Sequence, residues 1–163
     1  MSAAPAEPQP AVDRRTQLEL QDAELTLARF DLDDAWWLGS WIVAHSREHS
    51  YRVAVDIRRV NQVLFHAALP GATPDNEHWI AQKSATCLRM ERASALVSLQ
   101  FEAMGLDPFR GWLPEGALAA GGSVPIKVTG AGTVAAVTVS GLSSDDDHDV
   151  AVAALEALRE HQG

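Results

Sequence analysis

Residues 141–150, GLSSDDDHDV, place three aspartates and a histidine directly after an apolar run. Asp147 and His148, a carboxylate beside an imidazole, are the residue types used for general acid–base chemistry or for holding a metal. As joint metal ligands they are weak, because adjacent helical residues diverge by about 100°. The plainer reading is a helix start, with Ser143 or Ser144 as N-cap and acids in the first turn. Each such acid stabilises the helix dipole by about 0.3–1 kcal/mol at the surface. Capping needs neither a third acid nor the histidine. Asp147 and His148 are therefore also candidates for a pocket or a subunit contact at that helix end.

Lys83 is the second feature. Trp79, Ile80, Cys87 and Met90 follow one helical stripe, and Lys83 falls inside it. An unpaired buried ammonium is costly, so Lys83 snorkels outward, forms an internal ion pair or meets a bound anion. Asp56, on a largely apolar strand, is a candidate partner. HSREH at 45–49 matches the H-x-x-E-H pattern of zinc peptidases. It lacks an identifiable third ligand, and the alternative packs His45 on an apolar stripe with His49 in the last helical turn. No metal is expected. Cys87 is the only cysteine and sits mid-helix without an evident base, so covalent catalysis has no support. The glycines lack the spacing of a phosphate-binding loop.

The elements that must position these residues follow from length and pattern. At 163 residues, 47% apolar and 21% charged, the chain is expected to form one globular domain over 21–163 behind a disordered tail over 1–20. A net charge of −9 without a basic patch argues against nucleic acid and anionic membranes as partners. The apolar run at 35–44 is interrupted by Gly39 and Ser40 and too short to span a bilayer. No secretory signal opens the sequence, and one cysteine suits a reducing cytosol, so a cytoplasmic protein is expected.

Residues 25–30 read as a strand, and DLDD at 31–34 opens a helix with acids suited to its N-terminus. Val53, Val55 and Ile57 alternate with polar or small residues, and a turn at Val60–Asn61 makes 53–68 a hairpin. Helices follow over 75–91 and 93–104, the latter ending at Gly105. A Gly/Pro-rich connection carrying Trp112 leads to two strands around a Gly-Ala-Gly turn, and a helix over 145–161 closes the chain. Hairpin pairing makes the class α+β, with an antiparallel sheet of about five strands flanked by helices. Trp37 and Trp41 give the first of these helices a second apolar face, suited to a partner subunit or to cover within its own domain.

Taken in order, Leu38–Gly39 with Ile42, HAALPGATPDNEHWIAQK at 66–83, GGSVPI at 121–126 and VSGLSSDDDHD at 139–149 resemble the haem-degrading-domain family, also called GlcG/HbpS-like. The resemblance covers about 25–161 and is closest to a branch known by its sequences rather than by an activity. It implies a profilin- or PAS-like fold and assembly into dimers or larger oligomers. Its pattern positions here are Asp75, Asn76, Trp79, Lys83, Ser140, Gly141, Asp147 and His148, none with an established catalytic role. SSDDD stands where that branch more often has a Pro-containing turn. Some relatives bind or degrade haem; others accompany glycolate or cobalamin metabolism. Haem would need an axial ligand such as His66, His78 or His148. Three functions follow: an oligomeric module for a small anionic ligand, haem among the candidates; a cofactor-independent enzyme using Asp147, His148 and Lys83; or a scaffold.

Overall fold

The computed structural model describes residues 13–106 and 120–163. Most of the expected tail, and Trp112, lie outside the described residues. The elements run α1 (Arg14–Glu24), α2 (Leu32–Glu48), β1 (Ala54–Arg59), β2 (Gln62–Ala68), α3 (Pro74–Met90), α4 (Ser94–Ala103), β3 (Ser123–Val128), β4 (Gly132–Ser140) and α5 (Ser144–Gln162). The strands form one sheet in the order β2-β1-β4-β3, every neighbouring pair antiparallel. Both expected hairpins form. The class is α+β.

Two expectations are corrected. The strand read at 25–30 contracts to one parallel bridge, Leu27 to Val128, so the sheet has four strands among the described residues. Leu27 N–H donates to Lys127 O, and Thr129 N–H donates to Leu27 O. Pairing stops there because Asp31, four residues on, is already the N-cap of α2. Asp31 and Asp34 cap each other's backbone N–H at 2.8 and 2.9 Å. The second correction concerns the tail, which becomes a helix at Arg14. Asp13 caps Thr16, Leu18 is buried, and Arg14 reaches Asp145 and Asp149 on α5 at 3.2 and 3.1 Å. One buried leucine in an otherwise polar stretch leaves little periodicity to read.

Strand alternation divides the sheet chemically. Val55, Ile57, Val137, Val139, Val124 and Ile126 join Leu38, Ile42, Leu155 and Leu158 of α2 and α5 in the main core. The opposite face carries Asp56, Thr138, Ser123 and Ser140 beneath α3, where Thr138 Oγ1 donates to Ser123 Oγ at 2.9 Å. Such a polar face under a helix must have every group hydrogen-bonded, which makes register there exacting.

Trp37 stacks on His161 and Trp41 on His45, at ring separations of 4.5 and 4.9 Å. Both are half-buried by rings of their own chain. His45 also lies 4.3 Å from the ring of His49, whose Nδ1 is bonded to His45 O. HSREH is thus a stacked aromatic run. No helix among the described residues is long and apolar enough to cross a membrane.

Candidate functional site

The site is built where two helices begin at the end of β4. Thr73 precedes Pro74, whose missing N–H and fixed φ suit the first helical position. Thr73 N–H donates to Asn76 Oδ1 at 2.8 Å, which turns the Asn76 amide nitrogen toward Ser140 Oγ, 3.5 Å away. At the other helix, Ser143 Oγ accepts from Asp146 N–H at 3.1 Å, the expected cap. Asp147, one residue further, points back: its Oδ1 accepts from Leu142 N–H at 2.9 Å.

Lys83 joins these parts. Its ammonium donates to Val139 O at 2.8 Å, Gly121 O at 3.0 Å and Asp147 Oδ2 at 3.2 Å. Three donors meet three acceptors, so the ammonium is complete without a ligand. The Lys83 and Asp147 side chains are only 3% and 5% exposed. Burial pulls the Lys83 pKa down and pushes the Asp147 carboxyl up, against their mutual attraction. Lys83's partner is therefore Asp147 and not Asp56, which the sheet register carries two strands away from β3.

Asp75, Asn76, Trp79 and Lys83 of α3 line one cleft of about 310 Å³ together with Ser140, Gly141 and Asp147. Seven of the residues singled out from the sequence converge there. Asp56 and His148 do not. Asp56 is fully buried against Arg58 and His66. His148 leaves α5 in another direction and bonds Gln21 Oε1 of α1 through Nε2 at 2.8 Å. Asp147 and His148 thus form no acid–base pair, for the same angular reason that weakened them as metal ligands. Among the described residues no cluster of three or more His, Cys, Asp or Glu is placed to hold a metal.

The sequence reading missed the backbone members, the carbonyls of Gly121 and Val139. Their signal is Gly122, whose φ of +134° is a glycine conformation. A Cβ there would fall on Lys83 Nζ and on Val139 O. Gly122→Ala is therefore expected to displace the ammonium and destabilise the protein by roughly 1–3 kcal/mol, measured by urea unfolding.

The family described as haem degrading protein HbpS-like matches residues 30–156. The chain belongs to this HbpS-like family. A UPF0303 protein of Streptomyces coelicolor is 47% identical over 158 residues, spanning 96% of this chain and 97% of its own. Among solved structures, Ybr137w superposes with a TM-score of 0.81 at 28% identity, over 90% of this chain and 88% of that one. A double mutant of Streptomyces reticuli HbpS gives 0.66 at 20% identity, over 97% and 95% of the two chains. PduOC, solved as a haem complex, gives 0.60 at 19% identity, over 78% and 94%. These last two share the fold of this HbpS-like chain.

Proposed function

We propose that this HbpS-like protein is a small-ligand-binding module that works as a homo-oligomer, with the cleft between α3 and the start of α5 as its site. The observation that carries this reading is the convergence on that cleft of the start of α3 with the junction between β4 and α5. Asp75, Asn76 and Trp79 come from α3, and Ser140, Gly141 and Asp147 from the junction. The buried Lys83–Asp147 pair ties them into one rigid floor. Asp75 and Ser144, at the starts of α3 and α5, both line the cleft, so the positive ends of two helix dipoles border it. The dipole ends favour a small anion there, against the Asp75 carboxylate that shares the lining. Trp37 and Trp41 are covered on one side by His161 and His45 of their own chain, and an oligomer contact would cover the half that remains exposed. The single, buried Cys87 suits a reducing compartment, and we place the protein in the cytoplasm.

The family description and the PduOC complex make haem the first ligand to test. The fit is incomplete. None of His66, His78 and His148 lines the cleft; they bond Asp56 and Glu77, Gln82, and Gln21 respectively. The cleft supplies the Trp79 ring and a polar rim but no axial imidazole.

Native mass spectrometry of the purified protein tests the reading. The expected result is a homo-oligomer that retains a small-molecule mass, lost in Trp79→Ala with the subunit number unchanged. A ligand-free oligomer that also develops no Soret band on haem titration would overturn the binding reading and leave a scaffold.

A further inference from the structure

Away from the cleft, on the β1–β2 side of α3, a second group of charges is held by one carboxylate. Asp56 is 0% exposed in the middle of the polar sheet face. A well-packed apolar residue usually serves stability there as well as a buried ion pair or better, so packing alone does not account for it. Asp56 Oδ1 accepts from Arg58 Nε at 2.6 Å, and Oδ2 accepts from both Arg58 Nη2 and His66 Nδ1 at 2.8 Å. Sharing one oxygen sets the guanidinium and the imidazole side by side. The rotamers of both are thereby fixed, while their outer edges remain 27% and 34% exposed. Arg58 has five N–H donors, and only two are engaged among the described residues.

His66 Nε2 faces outward to Glu77, whose two oxygens lie 2.9 and 2.8 Å away. Glu77 is 44% exposed and in the first turn of α3. Burial lowers the His66 pKa, but the hydrogen bonds to Asp56 and Glu77 outweigh it and hold the ring toward its charged form. Glu77 also acts on Arg58: after the Asp56 hydrogen bond and opposing burial, its charge helps to raise the guanidinium pKa. One exposed carboxylate thus answers two cations oriented by Asp56.

We propose that Arg58 and His66, oriented by Asp56, form a binding site for a small oxyanion, a carboxylate or a phosphate, in which Glu77 is the resident stand-in. The buried and exposed parts differ in the way such a site requires. Asp56 is itself fully buried and held by three hydrogen bonds, whereas an exposed ion pair such as Glu77's is weak. When Glu77 swings out, the unengaged Arg58 N–H groups are left facing solvent, joined by the His66 Nε2–H while the ring is protonated, and Asp56 offsets only one of the two positive charges. Their donors then suit an oxyanion, for which guanidinium geometry is well adapted. The site is separate from the α3–α5 cleft and stands or falls without it.

The test follows the His66 ring nitrogens by NMR in the full chain. Sodium phosphate and sodium acetate are titrated separately, with ionic strength held constant by chloride. The wild type is expected to give a saturable shift. In Glu77→Ala, saturation occurs at roughly fivefold lower concentration, because the competing carboxylate is gone. Arg58→Lys raises it again by removing the fork. Whichever anion saturates at lower concentration identifies phosphate or carboxylate as the group bound. No saturable shift with either anion in Glu77→Ala overturns the site, and so does a curve indifferent to Arg58→Lys in a variant whose backbone spectrum is unchanged.

Discussion

Lys83→Met is expected to destabilise the ligand-free protein by about 3–5 kcal/mol, the usual cost of removing one partner from a buried ion pair. The side chain holds three structural parts at once: Gly121 before β3, Val139 near the end of β4, and Asp147 in the first turn of α5. Methionine fills the volume and offers no donor. Two carbonyls and one carboxylate oxygen then lose their partner at the nearly buried floor of the cleft. The carboxyl limits the damage by taking a proton, since burial already pushes its pKa up. Adding Asp147→Leu to Lys83→Met should therefore recover part of the loss, and a double-mutant cycle in urea reads the coupling. A ligand-reading lysine behaves differently: its removal would cost the apo protein about 0.5 kcal/mol or less, the range of ordinary surface substitutions. That outcome would return Lys83 to the ligand.

What the sequence made legible here was local. Ser143 as a cap, the acids of α2 and both hairpins follow from spacing over a few residues, and the structure keeps them within a residue or two; of the α3 stripe, Ile80, Lys83 and Cys87 are buried, while Met90 at the helix end is exposed. Asp75 and Asn76 were legible only through the family resemblance, and helix spacing explains why the structure sets them on one face with Trp79 and Lys83. Partners across the fold were not legible. Asp56 and Lys83 both sit under or within α3's footprint, but which strand neighbour each meets depends on sheet order. The order β2-β1-β4-β3 puts Asp56 opposite His66 and Thr138, and leaves Lys83 to the chain entering α5. No one-dimensional pattern encodes that choice. α1 escaped for another reason: its attachment is mostly polar, through Arg14, Gln21, Asp22 and Glu24, with Leu18 alone buried within it.

Between pH 6.5 and about 4 the protein is expected to lose about 3 kcal/mol of stability through His148 alone. Burial, reinforced by Arg14 and opposed by Asp149 and Asp145, depresses its folded pKa to about 4. The unfolded chain keeps the ordinary value near 6.5. Within that window the unfolded state binds the extra proton, so stability rises with pH and is lost as pH falls. His148 is 1% exposed and Nε2 donates to Gln21 Oε1, which leaves Nδ1 as a bare acceptor with no partner among the described residues. A proton on Nδ1 would charge a ring enclosed by Leu25, Val124 and Val152. His66 responds with the opposite sign, since its raised folded pKa favours the fold as pH drops, so the wild-type curve alone does not isolate His148. His148→Leu does. It sacrifices the Gln21 bond at every pH and removes the titration. Urea unfolding of both proteins should then show their stability difference shifting by about 3 kcal/mol in the variant's favour from pH 7 to pH 4. A difference that stays flat across that range would mean that His148 is not held neutral in the fold.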